Sequence, residues 1–201
     1  MAVPHPVVLR GTRVTLEPFE LEHTADLLAV ARSAPEEFAL TSTPITDEDA
    51  EEYFATALKH RASGFAYPFT VRLTDSGEII GMSRLNDLNF THRNSQLGYS
   101  WFHPSQYGSA SNVESKLLML TLAFEELRLH RVSLRTDVRN TRSRQAILAL
   151  GATEEGILRR HMVTRDGHVR DSALYAITDL DWPAAKARIE ERVARRLARS
   201  S

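Results

Sequence analysis

The chain has 201 residues, 42% hydrophobic and 25% charged, the balance of one soluble globular domain with a single sizeable core. A formal net charge of -1 gives no general attraction to nucleic acid or to an anionic membrane, and no apolar run reaches the length of a membrane span or secretory leader. Cysteine is absent, which excludes disulfides, thiolate metal sites and a cysteine nucleophile, and suits a cytoplasmic location.

Val14, Leu16 and the residues around Phe19 alternate as a strand closed by Pro18. Residues 23–33 read as a short helix. Asp47–Arg61 reads as a second, with Thr46 as N-cap and Ala50, Phe54, Ala57 and Leu58 on its apolar side. Tyr67, Phe69, Val71 and Leu73 alternate strictly and predict a half-buried strand. Asp75-Ser76-Gly77 supplies a turn and Ile79–Leu88 the return strand of a hairpin. Gln96–Phe102 is a further strand.

The segment after that strand carries the most chemistry. Pro104 leads into a turn of small residues and then into an amphipathic helix, with Val113, Leu117, Leu120, Phe124 and Leu127 on one stripe. The first N–H groups of a helix lack intrahelical partners and carry partial positive charge, so this order builds an anion site. Gly108, Ser109, Ala110 and Ser111 are small enough for a phosphate to approach the backbone. Ser111 and Glu114 have capping-box spacing. A cofactor bearing a pyrophosphate is the first expectation. Lys116, one turn further in, is placed either to reach a phosphate or to pair with a surface carboxylate.

Val132, Leu134 and Thr136 alternate as a strand, and Asn140 caps a helix that runs to Leu150 before Gly151. Ile157–Thr164 and Val169–Thr178 form a second hairpin around Arg165-Asp166-Gly167. Trp182-Pro183 opens a terminal helix whose arginines, interleaved with Ala, Ile, Val and Leu, read as a solvated face rather than a nucleic-acid patch. Only the passage from Gln96 to Asp137 has the form of a parallel strand–helix–strand unit, so an α/β domain with a mixed sheet is expected.

The element order, with four motifs at matching spacing, resembles the GNAT acetyltransferase superfamily, and within it the ribosomal-protein N-terminal acetyltransferases. The motifs are LRGTRVTLEPF, the GSASNVE turn, LRLHRVSLRTDVRNTRSRQAILALGATEEGILRRHM and DGHVRDSALYAITDLDWP. The resemblance implies a single domain, with a core from about residue 9 to 183 and a C-terminal helix over about 183–199. Its sheet would hold about seven mostly antiparallel strands, with a splayed central pair and flanking helices.

By the same resemblance the donor is acetyl-CoA and the acceptor a primary amine, on a protein N-terminus or a small molecule. The pantetheine arm would add to the splayed strand at Trp101, Phe102 and His103, and the pyrophosphate would lie on Tyr107, Gly108, Ser109, Ala110, Ser111 and Asn112. Asn140 and Ser143 match the Asn-x-x-Ser that contacts the arm near the thiol, Ser143 being the residue that would assist the leaving thiolate. Relatives usually carry R/Q-x-x-G-x-G/A in the loop; here Ala110 stands where glycine is commonest, at a cost of about 1 kcal/mol if that position needs a positive φ.

Gln96 occupies a position where many relatives have a basic glutamate. Without that base, an α-amino group of pKa about 8 suits the site better than a lysine side chain near 10. His103 is a candidate proton relay, and Asp171 and Asp137 are candidate carboxylates for the amine. His161 lies with Asp171 on the strands that line the acceptor side in relatives. The histidine spacings do not form a metal site, so no metal is expected. A small-amine acetyltransferase, a non-catalytic acyl-CoA-binding module and a homodimer built on the terminal helix are the alternatives the sequence leaves open.

Overall fold

A computed structural model describes residues 7–199. The elements follow in the order β1 (Leu9–Arg10), β2 (Val14–Pro18), α1 (Thr24–Arg32), α2 (Asp47–Ala62), β3 (Tyr67–Leu73), β4 (Ile79–Asn89) and β5 (Asn94–Phe102). After them come α3 (Ala110–Thr121), β6 (Arg131–Asp137), α4 (Thr141–Leu148), β7 (Thr153–Val163), β8 (Val169–Thr178) and α5 (Trp182–Leu197). One sheet of eight strands takes the order β1-β2-β3-β4-β5-β6-β8-β7. The strand beyond the expected seven is β1, two residues long and too short to leave a periodic signal.

Helices cover both faces. Leu27, Leu28, Phe54 and Ala57 of α1 and α2 pack with Met82 and Trp101 on one side. Val113 and Leu120 of α3, Ile147 of α4 and Ile189 of α5 pack with Leu85, Leu97, Leu134 and Tyr175 on the other. β3 is therefore buried on both faces, not one. Its polar side meets α2 and the turn before α1, where the Thr70 hydroxyl lies 2.9 Å from His23 Nδ1.

Thr46 caps α2 by accepting the Asp49 N–H at 3.1 Å, as expected. α4 ends at Leu148, and Gly151 takes a positive φ of 93° just beyond. α3 runs into one π turn over Leu122–Glu126, where the Leu127 N–H reaches the Leu122 carbonyl at 2.9 Å. Phe124 and Leu127 stay buried through that turn.

One strand pair departs from the antiparallel rule. β5 and β6 run parallel and pair only over Asn94–Arg131, Ser95–Val132 and Gln96–Ser133. Beyond Gln96, β5 continues against β4 to Phe102, while β6 continues against β8 to Asp137. The sheet opens between them. Among the described residues no helix is long and apolar enough to cross a membrane.

Candidate active site

A cleft of about 560 Å³ fills the opening between β5 and β6. Its walls are Leu97–Phe102, Leu134–Thr136, the start of α3, one face of α4, and Arg192 and Arg196 of α5. Because β5 has no strand partner on this side past Gln96, its backbone donors and acceptors are presented to whatever occupies the cleft. A bulge sharpens this. Met82 pairs with Trp101 and Arg84 with Gly98, so Tyr99 and Ser100 together oppose Ser83. Tyr99 takes φ 50°, a strained value for a side-chain-bearing residue. Its ring lies 4.6 Å from the Arg84 guanidinium carbon and 6.2 Å from the Tyr53 ring.

The phosphate end is built at the start of α3. Ser109, not Ser111, is the N-cap: its hydroxyl accepts the Ser111 N–H at 3.2 Å and donates to the Gln106 carbonyl at 2.8 Å. The expected capping box does not form, because Glu114 turns away to the β1–β2 turn and accepts the N–H groups of Thr12, Arg13 and Val14. Within the loop only Gly108 has a positive φ, 76°. A Cβ there would meet nothing within 4 Å, so conformation rather than crowding calls for glycine. Ala110 is the first helical residue and carries no such strain. Tyr107, Gly108 and Asn112 line the cleft, whereas Ala110 and Ser111 are buried behind it.

Asn140 and Ser143 sit across the opening at the start of α4. Asn140 Oδ1 accepts the Ser143 N–H at 3.0 Å, which caps the helix and fixes both residues on the cleft wall. Trp101 and Phe102 line the same space. The Trp101 indole N–H donates to Tyr53 Oη at 3.1 Å, which holds the ring.

The other candidates lie outside these walls. His103 Nδ1 accepts the Ser105 N–H at 3.2 Å and lies 2.8 Å from the Ser105 hydroxyl, capping the short turn at Pro104–Gln106. Asp137 is fully buried; burial alone would raise its pKa, but hydrogen bonds and charge from Arg139 hold it below the ordinary carboxylate value. Its carboxylate accepts from Arg139 Nη2 at 2.8 Å and from the Arg139 N–H at 2.8 Å. Asp171 accepts the Arg160 N–H at 2.7 Å, bridging an irregularity in β7 where Arg160 takes φ 48°. Gln96 is buried at the point where the two strands part.

Three features escaped the sequence reading. Arg192 and Arg196 reach the cleft from α5, so the terminal helix has more than a solvated face. Arg196 Nη1 donates to the Ser109 carbonyl at 2.7 Å and Arg192 Nη1 to the Ala149 carbonyl at 2.6 Å. Burial, and then the charges of Arg196, Arg188 and Arg195, push the Arg192 pKa down. Arg142, stacked 4.2 Å over the Tyr107 ring and ion-paired to Glu37 at 2.5 Å, ties the loop after α1 to the phosphate loop. Lys116 pairs with no surface carboxylate among the described residues and lines the cleft instead. It is buried against the sheet, donates to the Ser83 hydroxyl at 2.9 Å and to that of Ser100, and burial lowers its pKa to about 7. Helical spacing marks Lys116 and the α5 arginines as polar positions; only packing shows what they face.

The cleft thus joins a strand pair that opens over a helix N-terminus to an Asn-x-x-Ser helix start opposite. Residues 13–153 match the family model described as the acetyltransferase (GNAT) domain. The chain belongs to the GNAT acetyltransferase family, whose members are N-acyltransferases. It is 30% identical over 110 residues to YdaF of Bacillus subtilis (strain 168), a proposed ribosomal N-acetyltransferase; the match covers 55% of this chain and 59% of that one, less than two thirds of its length. The crystal structure of a GCN5-related N-acetyltransferase from Brucella melitensis superposes with TM-score 0.83 and 26% identity over 94% of this chain and 86% of that one. RimJ of Mycobacterium smegmatis, in complex with CoA-disulfide, shares the fold with TM-score 0.82 and 23% identity over 98% of both chains.

Proposed function

We propose that this protein transfers the acetyl group of acetyl-CoA to the α-amino group of a protein or peptide, by direct attack of the amine on the thioester. The observation that carries the reading is the cleft itself, which joins an anion-suited end at Gly108, Asn112, Arg192 and Arg196 to Asn140 and Ser143. The phosphate end fits a pyrophosphate: a glycine at positive φ, first-turn amides and two guanidiniums converge there. The wall of β5 fits an amide-bearing arm, since past Gln96 the strand has no partner on its β6 side. A bound acyl-CoA supplies an already activated acyl carbon and a thiolate leaving group.

The chain's own residues then have little to do. Asn140 holds the start of α4 in place and Ser143 presents a hydroxyl that, among the described residues, has no protein partner. In this reading that hydroxyl donates a proton or hydrogen bond to the departing sulfur. Among the described residues the one carboxylate lining the cleft is Glu37, and it is ion-paired to Arg142, so the acceptor must arrive partly neutral, as an α-amino group of pKa about 8 does and a lysine side chain does not. The likeness to YdaF supports a ribosomal-protein N-terminus as the acceptor.

Thiol release from acetyl-CoA, followed across peptides with small first residues, free lysine, polyamines and aminoglycosides, tests the assignment. Peptides are expected to react fastest, with rates rising with pH to about 8 as the amine deprotonates. A polyamine or aminoglycoside acetylated far faster than any peptide would move the acceptor to small amines. Ser143→Ala is expected to lower kcat about tenfold or more with little change in the KM for acetyl-CoA. Asn140→Ala should raise that KM and cost about 1 kcal/mol of stability through the lost cap.

A further inference from the structure

The two ends of the cleft lie on opposite faces of the sheet. Leu134 of β6 and Ala173 of β8 belong to the core under α3 and α5, so their strand neighbours Arg135 and Ser172 point to the other face. Arg170, two residues before Ser172, shares that face. Arg135 and Arg170 both line the cleft. An acceptor entering opposite the phosphate end therefore meets these two guanidiniums.

Neither has a carboxylate within ion-pair distance among the described residues. The nearby acid, Asp137, is committed to Arg139. Arg135 Nη1 has His161 Nε2 at 3.5 Å, and His161 Nδ1 lies 3.0 Å from the Ser172 hydroxyl. Burial, then the charges of Arg135 and Arg170, lower the His161 pKa, so the imidazole brings no balancing charge of either sign. Arg170 is half-buried and its Nε has no hydrogen-bond partner. Burial pushes the Arg170 pKa down; Asp137 opposes that shift, and Arg135 and Arg139 add to it. Two like charges drawn into a partly desolvated wall, with only the distant attraction of an Asp137 already paired to Arg139 to offset them, are costly, and an incoming anion lowers the cost.

We propose that Arg135 and Arg170 bind a carboxylate of the acceptor, making the preferred substrate an amine that carries an acidic group close to its amino end. This rests on the acetyltransferase reading of the cleft and specifies its acceptor. Bidentate guanidinium–carboxylate contacts would anchor the acid on β6 and β8 while the amine points through the opening toward Ser143. Both an acidic peptide N-terminus and a free acidic amino acid present this chemistry.

Steady-state kinetics with peptides identical except for Glu, Gln or Lys at the second position, with free glutamate as a separate arm, test it. The Glu peptide is expected to have a KM about tenfold below the Gln peptide, with Lys worse than either and similar kcat values. Arg135→Gln and Arg170→Gln should each erase that preference while leaving the KM for acetyl-CoA unchanged, and Arg170→Lys should keep part of it. The unchanged acetyl-CoA constant also shows that the variants fold. Free glutamate reacting as well as the Glu peptide assigns the acid to a small acceptor; glutamate failing while the peptide reacts assigns it to a peptide. Equal KM values for Glu and Gln peptides, or a Glu preference that survives in both Gln variants, overturns the proposal. If no acceptor is acetylated, the proposed function fails, and calorimetry of Glu and Gln peptides on CoA-saturated protein decides this point alone: about tenfold tighter Glu binding lost in the variants supports it, equal binding refutes it.

Discussion

Glu114 shows how one side chain can organise a distant turn. Its buried carboxylate accepts the N–H groups of Thr12, Arg13 and Val14 at 2.9, 2.7 and 2.8 Å, pinning the β1–β2 turn onto α3 about a hundred residues later in the chain. Gly11 is part of the same arrangement, since a Cβ there would sit 2.6 Å from the Glu114 carboxyl carbon. Glu114→Ala should cost about 3 kcal/mol, because several backbone donors lose their acceptor at once. Urea denaturation would show it as a lower midpoint at unchanged slope. Lys116 predicts the opposite sign. Its pKa falls from 10.5 when free to about 7 when folded, so between those values the unfolded chain binds the extra proton and stability rises with pH. Below pH 7 both states are protonated and the penalty is present in full. Lys116→Met should therefore stabilise the protein more at pH 6 than at pH 10, since Ser83 and Ser100 still bond each other at 2.6 Å. Denaturant midpoints at the two pH values, equal in their difference from wild type, would refute it.

At the scale of elements, α5 does two jobs. Trp182, Ala185, Ile189 and Val193 bury its apolar side, while Arg192 and Arg196 extend past the core to the phosphate loop and the end of α4. Gathering like charges at that edge is unfavourable by itself, and a polyphosphate relieves it. Removing both arginines should raise the KM for acetyl-CoA about tenfold or more with kcat little changed, and should flatten its salt dependence. Unaltered constants would mean that α5 only packs. α3 and α4 contribute through their first turns, which are short, capped by Ser109 and Asn140, and fixed by neighbouring elements.

For the whole molecule, the open strand pair is where binding of the proposed cofactor would add to stability. Acetyl-CoA at about a hundred times its Kd should stabilise the native state by about 2.7 kcal/mol. For a domain of this size that corresponds to a rise in Tm of about 5–10 °C. Differential scanning calorimetry with and without millimolar acetyl-CoA checks it, and an unmoved transition would show that the cleft does not take the cofactor. Because the cleft runs through the sheet, donor and acceptor are expected to bind from opposite faces and to form a ternary complex, giving intersecting rather than parallel initial-rate lines.

The elements themselves were legible in the sequence because their signals are local. Alternation in Tyr67–Leu73, the Thr46 and Asn140 caps, the Asp-Ser-Gly and Asp-Gly turns and the single parallel crossover each depend on a few neighbouring residues. Of the small residues before α3 only Gly108 lies on the cleft wall, together with Asn140 and Ser143 of the Asn-x-x-Ser at the start of α4. Tertiary structure alone decided what depends on partners far along the chain. Ser111 and Glu114 have the spacing of a capping box, yet three backbone amides a hundred residues away offer the carboxylate a better site. Lys116 and Arg192 look like surface charges by helical period, yet the packing of α3 on β4 and β5, and of α5 on α3, turns them inward. Asp137 looks available until Arg139 is placed beside it. Local propensity specifies where elements begin and which side is apolar; the direction and partner of a buried charge follow from desolvation and hydrogen bonding, which exist only once the elements have packed.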